Sequence, residues 1–305
     1  MSFIEIAKSG NLKEWEDHLT KGNDPNELDQ YGTTPLTWVV KMDSLELFGY
    51  AIEHGSDPCF PYRTRGSVFF DLLSQNKSSF LEKLVILKSY WKNSQYLLSK
   101  NKEGNTIFHE ILNYSDEDLW SNLKDLIQRE DWEIRNEEGR TIFLEAVATG
   151  NIAFISETLD KHPELLKQKD KDGKNALHIA AERNLSEDVE YLLGIGFAIE
   201  EKDDLGNTAL FLAASGDGVE SIEILLSAGA DLLVYGENGE SITRMIDREK
   251  FSFSMKLWKK ELYRRLKEID FENEKEKLNP YLTYLRKEKP LLTAEIAQAK
   301  LLDYI

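Results

Sequence analysis

Five histidines and one cysteine are the residues of this chain best suited to bind a metal ion or to act as base and nucleophile. They are His18, His54, Cys59, His109, His162 and His178. None of them forms an H-x-x-x-H pair or a His/Cys cluster with metal-ligand spacing. Cys59 would need a base beside it to act as a nucleophile, and no catalytic signature surrounds it. We therefore predict no metal, no cofactor and no catalytic residue.

Adjacent acidic residues are a second candidate for chemistry, because paired carboxylates can divide acid and base roles between them. Such pairs occur at Glu137-Glu138 and at Asp203-Asp204. Both pairs fall in predicted turns, where solvated charges are the simpler interpretation. The chain also lacks a G-x-x-x-x-G-K phosphate loop and a G-x-S-x-G nucleophile turn. The sequence thus predicts a protein that is not an enzyme.

The elements that would position any site recur at a regular period. A turn glycine, a short helix rich in small residues and a Leu-rich helix run from Gly173 to Leu193, and the same pattern starts again at Gly206. The turn glycines of all copies are Gly32, Gly66, Gly104, Gly139, Gly173, Gly206 and Gly239. Spacings of 33 to 38 residues indicate stacked helical units.

These residues resemble the ankyrin repeat, whose pattern is a glycine turn, T-P-L-H-x-A-A, a helix with a leucine pair and a G-A-D ending. Gly32-Thr33-Thr34-Pro35-Leu36 and Gly229-Ala230-Asp231 are close copies of its parts. The resemblance implies an all-α ankyrin-repeat solenoid of about eight helix-turn-helix repeats with a helical C-terminal cap. It also implies that His109 and His178, at the histidine of the pattern, hydrogen-bond backbone between neighbouring repeats.

The repeat pattern is lost towards the C-terminus. We predict an ankyrin repeat domain over residues 1–262 and a C-terminal helical cap or extension over residues 263–305. Within the extension, Leu278-Asn279-Pro280 predicts a break, followed by a short helix and a second helix after Pro290. A segment this short rarely builds a core of its own, which favours a cap, and a docking segment for another protein is the alternative.

Acidic residues outnumber basic ones, with 55 Asp+Glu against 38 Lys+Arg and a formal net charge of −17. Residues 263–305 hold 9 Lys+Arg and 8 Asp+Glu, so the excess belongs to the repeats. Such a charge disfavours binding to nucleic acid and would steer a basic protein towards the chain. The same acidity could also serve solubility alone.

Location and assembly follow from what the sequence contains. No stretch approaches the roughly 20 apolar residues of a membrane span, and no signal-peptide pattern is visible. A single cysteine fits a reducing compartment. We therefore predict a cytoplasmic protein that binds no membrane and is monomeric on its own.

The resemblance also implies where a partner would bind, because partners of this family generally contact the turn tips and the concave face of the first helices. Carried over by position, the predicted protein-binding residues are Gln30, Tyr31, Thr33, Met42, Thr64, Arg65, Lys102, Glu103, Asn105, Tyr114, Glu137, Glu138, Arg140, Lys171, Asp172, Lys174, Glu182, Arg183, Asp204, Leu205 and Asn207. The predicted exposed apolar anchors are Tyr31, Met42, Tyr114 and Leu205.

The sequence therefore predicts a non-enzymatic protein-protein interaction module. We expect it to bind and neutralise or sequester a basic protein, as inhibitors and toxin-immunity proteins do. The alternative is an adaptor or secreted bacterial effector that recruits a host or cellular protein. In that case the extension around Trp91 and the C-terminal segment would be the docking elements.

Overall fold

A computed structural model gives the fold of the chain. It describes residues 2–42, 44–58, 60, 68–73, 80–88, 100–113, 124, 127, 129–236, 239–249, 252–269 and 275–298. Within these ranges the regular structure is helical, with no β-strand beyond a single bridge between Tyr235 and Ser241. The predicted all-α class is confirmed. The chain divides into two compact units, Met1–Ile142 and Phe143–Ile305.

The first unit is a series of short helices. They are α1 (Phe3–Ser9), α2 (Leu12–Thr20), α3 (Pro35–Lys41), α4 (Leu45–Glu53), α5 (Val68–Leu73), α6 (Phe80–Lys88), α7 (Ile107–Ile111) and a 3₁₀ turn (Arg129–Glu133). Gly10 and Asn11 separate the first two helices, because Gly10 is the C-cap of α1 and Asn11 caps the start of α2. Cys59, predicted not to be catalytic, and the extension around Trp91 lie outside the described residues.

The second unit continues the series and ends with two longer helices. They are α8 (Ile142–Thr149), α9 (Ile152–Lys161), a 3₁₀ turn (Pro163–Lys167), α10 (Ala176–Glu182), α11 (Ser186–Gly194), α12 (Ala209–Ser215), α13 (Val219–Ser227), α14 (Ile242–Glu249), α15 (Ser252–Glu268) and α16 (Lys275–Gln298). The predicted domain boundary after residue 262 falls inside α15.

Side-chain caps define where these short helices begin. Ser2 and Glu5 form a reciprocal capping box at α1, in which each side chain accepts from the backbone of the other. Asn175 caps α10 by accepting from the N–H of His178 at 3.1 Å. Thr34 occupies the cap position of α3, with Pro35 as the first helical residue, but its side chain makes no cap hydrogen bond. Its hydroxyl lies 3.2 Å from that of Thr37.

The first helix of each pair is buried almost throughout, and this is the core of both units. In α10 every residue from Ala176 to Ala181 is buried, and α12 is buried from Ala209 to Ala214. α10 packs beside α12, and α12 beside α14. Small alanines on these faces let the helices approach closely, while the second helices α11 and α13 pack on each other and leave one side in water.

Aromatic residues form the buried contact between helices α1 and α2 at the start of the first unit. Phe3 and Trp15 are fully buried, with ring centroids 4.4 Å apart. The ring of His18 packs on Phe3, with centroids 4.5 Å apart, and is only partly exposed. His54 is exposed and stacks on Tyr50.

The C-terminal segment differs from its prediction. α16 is one continuous helix of 24 residues that passes through both Pro280 and Pro290, so the predicted break at Leu278-Asn279-Pro280 is wrong. Each interior proline costs a helix about 3 kcal/mol. The burial of Leu282, Tyr284 and Leu285 against α14 supplies the compensation. In the described part of the chain no helix is long and apolar enough to cross a membrane.

Candidate protein-binding surface

A five-residue turn recurs before the first helices and shapes the predicted binding surface. Its first residue donates its N–H to the carbonyl of its fifth residue, at 2.9 to 3.0 Å. The pairs are Asp29 with Thr33, Asn101 with Asn105, Asn136 with Arg140, Asp170 with Lys174, Asp203 with Asn207 and Gly236 with Glu240. The repetition shows that the same local structure is built each time from different outward residues.

In five of these six turns an Asp or Asn stands at the first position, and its side chain fixes the turn. In Asp170 the Oδ1 atom accepts from the N–H groups of Asp172 and Lys174, both at 2.9 Å. Asp203 accepts in the same way from Leu205 at 3.0 Å and Asn207 at 2.8 Å. These bonds use short side chains that can fold back onto their own backbone. Burial raises the pKa of Asp170, and the backbone hydrogen bonds from Lys174 and Asp172 oppose that shift.

The fourth position of the turn needs glycine for two reasons. Gly104 and Gly173 have positive φ values of 72° and 75°, which side chains rarely adopt. A Cβ on Gly173 would also lie 2.9 Å from the backbone nitrogen of Asp204, and one on Gly104 would lie 2.8 Å from that of Glu137. Neighbouring turns touch at these points, since the N–H of Asp204 donates to the carbonyl of Asp172 at 3.0 Å.

Histidines tie the first helix to the following turn. The Nε2 atom of His178 donates to the carbonyls of Glu201 at 3.0 Å and Asn207 at 3.2 Å. The Nε2 atom of His109 donates to the carbonyl of Arg140 at 3.1 Å. Burial lowers the pKa of His109 to about 4, so at neutral pH its ring is uncharged. The structural role implied for both histidines by resemblance is confirmed.

Comparison with known families agrees with this geometry. A family model described as "Ankyrin repeats (3 copies)" matches residues 113–203 and 164–236. The region covered by these matches, residues 113–236, consists of ankyrin repeats. No curated protein matches it closely enough to count as a relative. Ankyrin repeats are protein-protein interaction modules, and the solenoid of the family generally has no enzymatic activity.

The middle residues of the ankyrin turns are the most outward part of the predicted surface. The predicted residues that are exposed are Gln30, Tyr31, Lys102, Glu103, Glu137, Glu138, Lys171, Arg183, Asp204 and Leu205. Tyr31 exposes 71% of its surface and Leu205 exposes 49%. These two residues are therefore apolar groups that stand in water at the tips of two different turns.

Other predicted binding residues are only half-exposed, and some of them contact residues of the chain itself. Thr33, Met42, Arg140, Asp172, Lys174 and Glu182 are half-buried. Lys174 pairs with Glu182, with its Nζ atom 2.8 Å from Oε1. Met42 packs its sulfur near Gly10, so it is not the open apolar anchor that was expected.

Asn105 and Asn207 are buried, although both were predicted to be part of the exposed protein-binding surface. The Oδ1 atom of Asn105 instead accepts from the side-chain amide of Asn136 at 2.9 Å, in the next turn along the chain. Asn207 donates its side-chain amide to Asp203 at 3.1 Å. Thr64, Arg65 and Tyr114 lie outside the described residues.

The residues that hold the turns were not predicted, namely Asp29, Asn101, Asn136, Asp170 and Asp203. The prediction that Asp203 and Asp204 are both solvated charges is wrong for Asp203, which is buried, whereas Asp204 is exposed. A signal was available, because an Asp or Asn stands three residues before five of the seven turn glycines. Among the described residues, no group of three His, Cys, Asp or Glu side chains is placed to hold a metal ion.

The acidic excess is not concentrated on the turn tips. In the second unit the predicted binding residues carry three basic groups, Lys171, Lys174 and Arg183, and three acidic ones, Asp172, Glu182 and Asp204. The outer sides of α11 and α13 are different, since both helices contain exposed glutamates and no lysine or arginine. Charge and turn tips therefore occupy different faces of this unit.

Proposed function

We propose that this ankyrin-repeat protein is a non-enzymatic binding module whose protein partner contacts the turn tips and the ends of the first helices. The observation that carries the proposal is the recurring turn. Its first, fourth and fifth residues hold the turn, whereas the second and third residues of the described turns are exposed, apart from the half-buried Asp172. Where these two positions bond a neighbouring turn they use backbone atoms, so the chemistry of their side chains can serve recognition.

We further propose that the partner is a basic protein that the module neutralises or sequesters. The formal net charge of −17 supports this, because a field of that sign attracts a basic partner over a distance and raises its association rate. The nearly balanced tips then supply the short-range contacts. Tyr31 and Leu205 are suited to this role, because exposed aromatic and aliphatic groups gain most from being covered.

The experiment is affinity capture from a lysate of the native organism, with bound proteins identified by mass spectrometry at low and high salt. Two variants, Y31S and L205S, remove one tip anchor each. L45S and I195S are matched controls, because these residues are exposed to 38% and 40% and lie outside the predicted surface.

We expect one basic protein in stoichiometric amount, lost at high salt and reduced at least about tenfold by Y31S or L205S. The two control variants should retain it. A partner that L45S or I195S releases, while Y31S and L205S retain it, would refute the tip surface. A neutral partner that stays bound at high salt would refute the basic-partner proposal and favour an adaptor.

A further inference from the structure

Three consecutive helix pairs of the second unit carry different side chains at the same two exposed positions of their second helix. Successive positions are 33 residues apart, and the three pairs are Glu187 and Glu190 on α11, Glu220 and Glu223 on α13, and Phe253 and Lys256 on α15. All six side chains are exposed. The sign of the surface therefore changes from negative to positive between α13 and α15, two helices that pack against each other.

The positive part continues along α15, which is longer than the other second helices. Lys260, Arg264 and Lys267 follow Phe253 and Lys256 at steps of three and four residues, which places all five on one side of the helix. Phe253 is 62% exposed, and the Nζ atom of Lys256 lies 5.2 Å from the centroid of its ring. We call these five residues the basic stripe. The opposite side of α15 buries Trp258, Leu262 and Leu266.

Most charges of the basic stripe are not neutralised within the chain. Arg264 is held by Glu261 and Glu268 at 2.6 and 2.7 Å. In the part of the chain that the structure describes, no carboxylate lies within 4.0 Å of the amino groups of Lys256, Lys260 or Lys267. Three lysines and an exposed phenylalanine thus form an open surface on an otherwise acidic protein.

The exposed glutamates of α11 and α13 likewise form no ion pairs among the described residues. Glu187, Glu190 and Glu223 have no lysine or arginine within 4.0 Å among the described residues, and neither α11 nor α13 contains a basic residue. Glu220 differs, because it accepts from the side-chain amide of Asn184 at 2.6 Å. We call Glu187, Glu190, Glu220 and Glu223 the acidic face.

We propose that the chain forms a dimer in which the basic stripe of each copy lies against the acidic face of the other. A surface with one acidic half and one basic half is complementary to itself about a two-fold axis. A second copy is favoured over a nucleic acid or an anionic membrane because the formal net charge of −17 repels both of these as a whole, whereas a second copy offers open carboxylates beside its own stripe. The sequence alone predicts a monomer. The acidic and basic side chains come together on one surface only when the chain is folded.

Salt should act on this dimer in two directions. Each copy carries −17, so the copies repel each other at very low ionic strength. At physiological salt the Debye length of about 8 Å confines the interaction to the touching surfaces, where opposite charges meet. At about 1 M salt even those pairs are screened. We expect the dimer fraction to be largest at intermediate salt.

The first test measures the mass of the full-length protein by sedimentation equilibrium over a range of concentrations and salt. The expected mass rises with concentration from 35.1 kDa towards twice that value. K256E/K260E/K267E should remove the rise. K13E/K21E/K167E is the matched control, because it changes three exposed lysines elsewhere and shifts the net charge equally. Circular dichroism establishes that each variant is folded.

The decisive test mixes two charge-reversed variants. E187K/E190K/E223K makes both halves of the surface basic, and K256E/K260E/K267E makes both halves acidic, so each alone should stay a monomer. Their mixture should form a 1:1 dimer, because both interfaces then pair opposite charges. Three outcomes would overturn the proposal: a wild-type monomer at every salt concentration, a mixture that stays monomeric, or a wild-type monomer that binds phosphatidylserine vesicles or polyglutamate through the same lysines.

Discussion

Asp188, in the first turn of α11, is a buried carboxylate at a position where the next repeat has a neutral side chain. It is 3% exposed, and its Oδ2 atom has no hydrogen-bond partner among the described residues. The equivalent residue 33 positions later is Ser221, whose buried hydroxyl also has no partner there and whose backbone N–H donates to the Oδ1 atom of Asn184 at 3.0 Å. Asn184 fits there because Gly218 beside it has no side chain, and a Cβ on Gly218 would lie 3.1 Å from that oxygen.

At Asp188 this arrangement is reversed. Gly150 stands where the next repeat has Asn184, and Leu185 stands where the next repeat has Gly218. A Cβ on Gly150 would lie 3.0 Å from the Cδ2 atom of Leu185 and 3.9 Å from the Oδ2 atom of Asp188. An apolar contact has replaced a polar cap. Burial, with a smaller contribution from Glu187, therefore raises the pKa of Asp188 to about 6.

The prediction at this scale is that D188S stabilises the protein at neutral pH. The raised pKa means that protonated Asp188 favours folding, so its contribution is complete below about pH 4 and is lost as the pH rises through about 6. The pKa rises from 3.8 to about 6 and one pKa unit corresponds to about 1.4 kcal/mol, so the gain at pH 8 should be on the order of 3 kcal/mol. Urea unfolding at pH 4 and pH 8 measures it. The exposed control E190Q should change little, and equal pH dependence of D188S and wild type would contradict the account.

At the scale of the element, side-chain packing in α16 outweighs the tendency of its two prolines to end a helix. The hydroxyl of Tyr284 lies 3.1 Å from that of Thr243 in α14, and its ring centroid lies 5.9 Å from that of Trp258 in α15. Glu288 is buried and accepts from the Nε atom of Arg244 at 2.9 Å. Burial raises the pKa of Tyr284 to about 12, in keeping with a neutral hydroxyl inside this contact. These contacts fix the helix between its two prolines.

We predict that Y284A loosens α14 as well as α16. Removing a buried aromatic ring costs about 3 kcal/mol or more, and here it also removes the hydrogen bond to Thr243. Hydrogen exchange measured by mass spectrometry should rise in residues 242–249. T283A is the control, because Thr283 is exposed on the same helix. Unchanged exchange in α14 of Y284A would show that α16 does not support the last helix pair.

At the scale of the whole molecule, the chain has two compact units, and within each the helices pack on their neighbours in sequence. Stability in such an array is a sum of contributions from each repeat and from its nearest neighbours. Long-range contacts across a single large core are not required. The second unit should therefore hold its own structure.

We predict that a fragment of residues 136–305 folds alone. It begins at the turn before α8 and keeps every later helix pair intact, so its circular dichroism should be helical and its thermal unfolding cooperative. A fragment of residues 186–305 is the comparison, because it separates α11 from its partner α10 and should be markedly less stable. A non-cooperative transition in the longer fragment would contradict the prediction.

The sequence by itself determined the features that depend on residues a few positions apart. The period of the turn glycines and the helix starts are local patterns, and they were predictable. The roles of His109 and His178 involve residues farther along the chain, and the resemblance to the ankyrin repeat implied them. The same resemblance implied the exposed middle residues of the turns, which the described turns show apart from the half-buried Asp172.

Only the tertiary structure decided features that depend on what packs against a residue. Asn105 and Asn207 look like surface amides in the sequence and are buried because a neighbouring turn covers or bonds them. Pro280 predicts a helix break, but the helix continues through it because Tyr284 and Leu285 are buried. Burial energy depends on partners that are distant in the chain, and the local pattern does not record them.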